Sequence, residues 1–305
     1  MKPLSKSPPL GKVHVQSVLY GNAPDAIARA KAHLERAADI AIAGGIAESV
    51  SLVYGDCSPT PALQDAVETF HRPGSAFSSL EYRFFGANLG SACGHNTLFQ
   101  DARADYVLIM NPDIMVAPNV LTELARPFLD GRAGMVEAKQ LPVEHPKHYD
   151  TATGETSWAA TACALLPAEL LERLGGFDDQ TFFLYCDDVD LSWRIRLAGR
   201  TVVYQPSASV FHDKALGARG AWIAGEAERR FSAEAALLLA YKYDRDDIVA
   251  SALQYFQASD EPHLRAAAEE FGRRQARGEL PRKLENAHKV ASFIDGAYSR
   301  HRFAL

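Results

Sequence analysis

The hydrophobic pattern of the first half of the chain alternates between short β-like runs and longer segments of helical periodicity. Residues 106–110 (YVLIM) are continuously apolar, as expected for a strand that is covered on both faces. Strands are predicted at 13–20, 49–54, 82–85 and 106–110. Helices are predicted at 25–43, at 61–70 and from the loop at 88–90 through residue 100. This alternation predicts right-handed crossovers and a largely parallel sheet with helices on its faces.

The next part of the pattern predicts a helix at 167–174, a loop after Gly175, a second helix and a strand at 201–204. The second helix begins at Asp187 or Asp188, where a carboxylate accepts hydrogen bonds from unpaired backbone N–H groups. Its apolar stripe has the spacing i, i+4, i+7 and consists of Leu191, Ile195 and Ala198. Asp190 is four residues before Arg194 and is expected to pair with it on the other side of the helix.

The composition changes beyond residue 213. Residues 214–225 contain three glycines (217, 220 and 225) beside Lys214 and Arg219, which predicts a loop. The remainder is charged and helical, most strongly at 226–243, and we interpret Arg229 and Arg230 as part of a solvated helix face. We therefore divide the chain into a first domain at 1–215 and a helical C-terminal extension at 216–305. Packing on the first domain, self-association as a homodimer and contact with a membrane surface are three open roles for this extension.

The overall composition is that of an ordinary soluble globular protein. Of the 305 residues, 47% are hydrophobic and 23% are charged, and the formal net charge is −6. This charge argues against a nucleic-acid-binding protein, which normally presents a basic surface. No secretory signal and no run of about 20 apolar residues is evident. The four cysteines lack C-x-x-C spacing, which favours reduced thiols in a cytoplasmic protein.

Acidic residues follow the predicted strands, where ligands gather in parallel α/β sheets. Asp56 and Asp113 come directly after the second and fourth strands. Pro112 stops the fourth strand and projects Asp113 from a turn. A denser cluster follows the aromatic run at 182–185 and consists of Asp187, Asp188 and Asp190. Helix capping explains any one of these carboxylates alone, but burying all of them requires a compensating partner, so the cluster predicts a functional site.

Residues 175–213 (GGFDDQTFFLYCDDVDLSWRIRLAGRTVVYQPSASVFHD) resemble the closing part of the catalytic domain of family 2 glycosyltransferases, in particular rhamnosyltransferase-like members. The resemblance implies an α/β fold of the GT-A (nucleotide-diphospho-sugar transferase) type, with a mostly parallel central sheet flanked by helices. Asp187 and Asp188 stand where the family has Glu-Asp, and Cys186 replaces a more usual aromatic or apolar residue. The resemblance assigns Asp188 as the general base, with Asp187 supporting the acceptor hydroxyls or tuning its neighbour.

The same resemblance implies a divalent cation, Mg²⁺ or Mn²⁺. Asn111-Pro112-Asp113 is similar to the acidic metal motif of these enzymes, with Asn111 in the first position and Asp113 as the carboxylate ligand. His212 stands where the family pattern ends in histidine and is assigned as a second ligand, with Asp213 as a group that would orient its ring. The resemblance thus implies that Asp113, Asp188 and His212 converge on one pocket.

The nucleotide half of the site is assigned by position. Asp56 is the carboxylate available to accept from the nucleobase, although it is shifted by one place from the family pattern. Asn88 and Gly90 resemble an Asn-x-Gly loop along ribose and diphosphate, and equally fit an ordinary helix-opening loop. Tyr20 and Asn22 are candidates for stacking or ribose contact. In the small-residue segment 157–164, Trp158 is interpreted either as an apolar wall against donor or acceptor, or as a core residue.

These assignments predict an inverting, metal-dependent glycosyltransferase. The donor is a dTDP- or UDP-linked sugar, and the resemblance favours rhamnose. The acceptor is a hydroxyl of a bacterial surface polysaccharide or its lipid-linked precursor, which places the protein in the cytoplasm or at the inner face of the membrane.

Two alternatives from other classes are kept. A sugar-phosphate nucleotidyltransferase would carry a glycine- and arginine-rich loop after the first strand, where this chain has Gly21-Asn22-Ala23-Pro24. A catalytically silent carbohydrate-binding protein would not need the acidic and histidine residues above. Without a P-loop or a G-x-G-x-x-G motif, kinase and dehydrogenase functions lack their central feature.

Overall fold

The computed structural model of the chain describes residues 9–70, 74–213 and 223–299. Its strands are β1 (Lys12–Leu19), β2 (Ser49–Asp56), β3 (Phe77–Phe84), β4 (Tyr106–Met110), β5 (Ile114–Val116), β6 (Ala133–Leu141), β7 (Glu155–Thr156), β8 (Cys163–Pro167) and β9 (Thr201–His212). Its helices are α1 (Pro24–Ala43), α2 (Gln64–Glu68), α3 (Gly90–Phe99), α4 (Val120–Ala125), α5 (Ala168–Arg173), α6 (Asp187–Leu197), α7 (Glu226–Lys242), α8 (Asp246–Ala258) and α9 (Pro262–Arg277).

The described strands form one mixed sheet in the order β3-β2-β1-β4-β8-β6-β9-β5, with β7 paired to β9. The first four strands pair in parallel, β8 is antiparallel to both β4 and β6, and β6 is parallel to β9. Most strands therefore point in one direction, as predicted, while β5, β7 and β8 run the other way. The C-terminal ends of β1 to β4, β6 and β9 consequently share one border of the sheet, which we call the C-terminal edge.

Each predicted element is present with its predicted type, and the differences within these elements lie at their ends. The elements α4 and β5 to β8 were not predicted. The strand predicted at 82–85 spans Phe77–Phe84, because its whole length pairs with β2. The helix predicted at 61–70 is shorter, at Gln64–Glu68. The strand predicted at 201–204 continues to His212, because it pairs with β6 along its length and with β5 at its end. Ala198 is exposed just after α6 and is not part of the apolar stripe.

Helix α6 lies between two hydrophobic layers. Leu191 and Ile195 pack into the cluster that covers one face of the sheet. Val189 and Trp193 belong to a different cluster, which α7, α8 and α9 supply with Leu237, Leu238, Tyr243, Val249 and Phe271. The Trp193 ring meets the Tyr243 ring edge-on at 4.6 Å. A third cluster packs α1 and α4 against the opposite face of the sheet. The catalytic helix implied by the sequence is thus covered on one side by the C-terminal helices.

The helical prediction beyond residue 226 is confirmed by α7, α8 and α9, and Arg229 and Arg230 are exposed. Most of the loop predicted at 214–225, including Lys214, Arg219 and the glycines 217 and 220, lies outside the described residues. The C-terminal helices pack on the rest of the protein, while the boundary between 215 and 216 stays a prediction. In the part of the chain that the structure describes, no helix combines the length and apolar character needed to cross a bilayer.

Candidate active site

The predicted site residues follow strands that end at the C-terminal edge. Tyr20 and Asn22 follow β1, Asp56 ends β2, Asn88 and Gly90 follow β3, Asn111 and Asp113 follow β4, and His212 ends β9. Asp187 and Asp188 open α6. The sheet topology, rather than any local sequence feature, therefore collects these sequence-distant residues.

Asp113 and His212 meet at this edge. His212 Nε2 lies 3.1 Å from Asp113 Oδ1. The contact follows from strand pairing, because Ile114 of β5 lies opposite His212 of β9 and the Asp213 N–H donates to the Asp113 carbonyl at 3.1 Å. The His212 side chain is 3% exposed and that of Asp113 is 33% exposed, so the carboxylate is the solvent-facing member. On the other side of the ring, His212 Nδ1 is 2.9 Å from the buried Gln140 Oε1.

This pair fits a divalent cation. When Nδ1 donates to Gln140, Nε2 carries an electron pair that faces a carboxylate oxygen, and that arrangement calls for a proton or a cation. Neighbouring ligands of an octahedral ion with bonds of about 2.1 Å are about 3 Å apart, which is close to the observed spacing. Within the described residues, no group of three or more His, Cys, Asp or Glu side chains is arranged to hold a metal. Asp113 and His212 would therefore supply two ligands and leave other positions to ligand oxygens and water.

Asp187 and Asp188 are presented by a turn with unusual backbone angles. Tyr185 and Cys186 both have positive φ, at 67° and 56°, a conformation that non-glycine residues rarely adopt and that is concentrated at functional sites. Asp188 is partly exposed, and its Oδ1 accepts from the Val189 N–H at 2.8 Å. Asp187 is buried, and its burial together with the Asp188 charge raises its pKa to about 7, although Ser91 donates a hydrogen bond to it.

A short segment connects this turn to the metal-site residues. The Ala159 N–H donates to Ser192 Oγ at 3.0 Å, and Ser192 Oγ donates to the Asp188 carbonyl at 2.7 Å. Three residues further on, the Ala162 carbonyl accepts from the Asn111 N–H at 2.8 Å. Three peptide units span at most about 11 Å. The start of α6 and the Asn111-Pro112-Asp113 turn are therefore held to the two ends of the same short segment.

The loop before α3 packs directly against the aromatic run. The Ser91 N–H donates to the Phe183 carbonyl at 2.9 Å. Gly90 has a φ of +72°, and a Cβ there would collide with that carbonyl and lie 2.7 Å from the Phe183 ring. Asn88 accepts from the Gly90 N–H at 3.1 Å and shapes the turn. Glycine is thus required at this position by both conformation and space.

Replacing Gly90 with alanine is expected to destabilise the protein more than replacing Gly86. Both glycines have positive φ (+72° and +68°), but a Cβ on Gly86 would meet only the Phe84 ring, at 3.9 Å. Each substitution costs about 1–2 kcal/mol for the backbone conformation, and overpacking adds about 1–3 kcal/mol at Gly90 only. Chemical denaturation of both variants measures the difference. Equal losses of stability would contradict the close approach of Phe183.

Asp56 is fully buried, and both carboxylate oxygens are engaged. Ser58 N–H donates to Oδ1 at 2.8 Å, and Tyr82 OH donates to Oδ2 at 2.5 Å. This carboxylate accordingly braces the end of β2, and its role towards a nucleobase stays a prediction. Tyr20 is 58% exposed, and its N–H donates to Asn22 Oδ1 at 2.9 Å.

Trp158 is 4% exposed and belongs to the hydrophobic cluster shared with the C-terminal helices. Its ring lies under Lys147 Nζ at 4.1 Å and meets Tyr298 edge-on at 5.5 Å. Trp158 packs in the core and also lines a cavity, and its role as an apolar wall against donor or acceptor stays a prediction.

The sequence did not reveal a buried ionic group behind α6. Lys242 Nζ, on α7, is 2.6 Å from Asp178 Oδ2 and 2.5 Å from Asp190 Oδ1. Arg194 Nε donates to Asp190 Oδ2 at 2.7 Å, which confirms the predicted pair, and Tyr243 OH donates to Asp190 Oδ1 at 3.1 Å. Asp178 lies in the GGFDD motif, but nothing in the helical pattern of 226–243 distinguishes Lys242 as a buried lysine. This group connects α7 to both ends of the segment that runs from Asp178, through the loop, to Asp190 in the first turn of α6.

Comparisons with known sequences match parts of this chain. Residues 52–174 match the model of "Glycosyl transferase family 2", a match that ends before Asp187, Asp188 and His212. An N-acetylglucosaminyl-diphospho-decaprenol L-rhamnosyltransferase from Mycobacterium tuberculosis (strain CDC 1551 / Oshkosh) is 43% identical over 58 residues, 19% of each chain. The rhamnosyltransferase WbbL of Escherichia coli (strain K12) is 27% identical over 159 residues, 42% of this chain and 60% of the relative. The alignments thus span less than two thirds of these relatives.

Solved structures share the fold over most of the chain. The mannosyltransferase PcManGT from Pyrobaculum calidifontis, in complex with GDP-Man and Mn²⁺, aligns with a TM-score of 0.55 and 20% identity, over 91% of this chain and 77% of that one. GalNAc-T7 with UDP, GalNAc and Mn²⁺ aligns with a TM-score of 0.62 and 12% identity, over 90% and 59%. The predicted GT-A fold, with its mixed sheet, flanking helices and C-terminal helices, is confirmed.

Proposed function

We propose that this chain, whose residues 52–174 match the model of glycosyl transferase family 2, transfers a sugar from a nucleoside diphosphate to a hydroxyl of a carbohydrate acceptor, with inversion at the anomeric carbon. The observation that carries the proposal is the 3.1 Å contact between Asp113 and His212, on the same sheet edge as the loops that precede α3 and follow β2. A nucleotide-sugar site in this fold class lies at the carboxyl ends of the strands.

Asp188 is the general base of the proposed reaction. It is partly exposed at the start of α6, where its carboxylate can reach a hydroxyl, whereas Asp187 is buried. Asp188 takes the proton of the acceptor hydroxyl, whose oxygen forms a bond to the anomeric carbon as the bond to the diphosphate oxygen breaks. Attack from the opposite face inverts the configuration at this carbon.

Asp113 and His212 are the residues that would hold Mg²⁺ or Mn²⁺. A bound cation supplies charge neutralisation for the leaving diphosphate. Gln140 supports this site by fixing the His212 ring through its contact with Nδ1. The Mn²⁺ in the two structural relatives named above supports this assignment without identifying the ion used here.

The relatives support the proposed donor, acceptor and location. The proposed donor is a dTDP- or UDP-linked sugar, and the rhamnosyltransferase names of the curated relatives support rhamnose as that sugar. The name of the mycobacterial relative describes a diphospho-decaprenol acceptor, which supports a lipid-linked glycan and a position at the inner face of the membrane for this chain as well. Asp56, Asn88, Gly90, Asn111, Tyr20 and Asn22 form the proposed nucleotide side of the site.

Chelation of divalent cations is expected to stop turnover, and Mn²⁺ or Mg²⁺ to restore it. A thermal-shift screen of nucleoside diphosphate sugars with Mn²⁺ first identifies the donor, and release of nucleoside diphosphate then measures turnover.

Asp113→Ala and His212→Ala are expected to weaken Mn²⁺ binding in a titration followed by electron paramagnetic resonance. Full activity in excess EDTA would contradict the metal assignment, and the absence of any stabilising nucleotide sugar would contradict the transferase.

A further inference from the structure

A cavity of about 590 Å³ lies beside the proposed catalytic site, in the size range of about 300–1,000 Å³ that is typical of ligand pockets. It is bounded by residues 146–150, by β7 and the residues after it, by the last turns of α6 and by residues 292–299. The lining residues that matter here are Tyr149, Glu155, Trp158, Arg196 and Tyr298. None of the residues assigned above to the nucleotide or the metal lines it, apart from Trp158.

Aromatic rings in fixed positions form part of the wall. Trp158 is held by Tyr298 and by Lys147, as described above. Tyr149 is 40% exposed, and its ring lies 4.8 Å from the Tyr204 ring. Tyr204 is buried, and its OH donates a hydrogen bond to Glu144 at 3.0 Å, which fixes the position of its ring. The cavity thus offers a supported, partly exposed aromatic face together with hydroxyl groups from Thr156 and Ser157.

The charges around the cavity are balanced. Lys147 forms a buried ion pair with Glu137, and the two side chains are 3% and 0% exposed. Arg196 donates to the Val290 carbonyl at 2.7 Å, and the charge it faces is that of Glu155. A diphosphate would require an excess of cations, whereas a neutral ligand with many hydroxyls needs donors and acceptors beside an apolar face. The lining therefore favours a carbohydrate over an anion.

The cavity is near Asp188 but not at it. Arg196 follows Asp188 by eight residues on α6, which is about 12 Å along the helix axis. Trp158 immediately precedes Ala159, whose N–H binds Ser192 one turn after Asp188. A sugar in the cavity would be too far from Asp188 to donate the reacting hydroxyl, whereas the neighbouring sugars of the same oligosaccharide would reach the cavity.

We propose that this cavity is an extended acceptor site, which holds the sugars of an acceptor oligosaccharide that precede the reacting one. Tyr149 provides the stacking face, and Glu155 and Arg196 bind hydroxyl groups. This inference rests on the proposed transferase function and adds that the acceptor is an oligosaccharide rather than a single sugar.

The test compares four proteins on a printed array of bacterial glycans one to six sugars long: the wild type, Tyr149→Ala, Glu155→Gln and the control Tyr255→Ala. Tyr255 is 64% exposed on α8 and does not line the cavity. The wild type and the control are expected to retain oligosaccharides more strongly than the corresponding single sugars. The two cavity variants are expected to lose up to about tenfold in that retention, the effect of one aromatic or polar contact.

Measurements without acceptor separate the two levels of the proposal. All four proteins are expected to release nucleoside diphosphate from the donor at the same rate, because the variants do not touch the catalytic residues. If the wild type shows no preference for longer glycans, or if the cavity variants retain them equally, the extended site is wrong while the transferase stands. If no nucleotide sugar stabilises the wild type in the thermal-shift screen, the transferase itself is wrong.

Discussion

Asp188→Asn is expected to reduce the rate of sugar transfer by about a hundredfold to ten-thousandfold, the usual effect of removing a general base. The variant keeps the size and hydrogen-bonding shape of the side chain, and the Val189 N–H still has an oxygen to bond. Donor binding is therefore expected to remain, with the loss confined to kcat. Transfer assays and calorimetric titration of the nucleotide sugar measure the two quantities. Transfer at the wild-type rate would exclude Asp188 as the base.

Asp247→Asn is the matched control for this substitution. Asp247 is the second residue of α8, preceded by Asp246, just as Asp188 is the second residue of α6, preceded by Asp187. Its replacement is expected to leave transfer unchanged. A second readout concerns Asp187, because the Asp188 charge contributes to its raised pKa. In Asp188→Asn the pKa of Asp187 is expected to fall, as followed by NMR titration of its carboxyl carbon; an unchanged value would mean that burial alone raises it.

Lys242→Met is expected to destabilise the protein by about 3 kcal/mol, the lower end of the range for breaking a buried ion pair, because Arg194 still pairs with the buried Asp190. The partly exposed Asp178 loses the same cation. The methionine preserves much of the packing volume, so the loss reports mainly the charge. The substitution also loosens the loop that ends at Asp187 and Asp188, so kcat is expected to fall more than the donor affinity. Denaturant unfolding and steady-state kinetics measure the two effects.

The matched control is Lys283→Met. Lys283 also bridges two carboxylates, with Nζ at 2.8 Å from Asp244 and 2.7 Å from Asp246, but its side chain is 33% exposed and its partners are about two thirds exposed. Exposed pairs contribute about 0–1 kcal/mol, so little change is expected. If the two variants lose the same free energy of unfolding, burial does not make the Lys242 ion pairs more stabilising than the exposed ones. If Lys242→Met is destabilised but keeps a full kcat, the group does not position the loop.

Much of the fold could be predicted because local patterns and tertiary structure agree. The apolar run of β4 was predicted with its bounds, and the Asp190–Arg194 pair follows from helical spacing alone. The meeting of Asp113 and His212 was implied only by resemblance, since about a hundred residues separate them. Strand pairing between β5 and β9 brings them together, and β5 itself is three residues long, too short to show any periodicity.

The remaining features depend on burial, which a single sequence does not display. Lys242 lies in a helix with several exposed charges, and only the packing of α7 on α6 makes it a buried counter-ion. The positive φ of Tyr185 and Cys186 could not be predicted, because glycine, the residue that usually indicates such a conformation, is absent from both positions. Strands β6 and β8 were also not predicted, and the antiparallel direction of β8 could not have been, because the hydrophobic pattern carries no information about strand direction.

The two-sided burial of α6 limits how this protein can be dissected. A truncated form that stops after β9 would present Val189, Trp193 and Phe182 to water, although each is at most 1% exposed in the intact chain. Such a fragment is prone to aggregate rather than to act as a minimal enzyme. Chimaeras between relatives should accordingly exchange α6 together with α7, α8 and α9, because their side chains pack in one hydrophobic cluster.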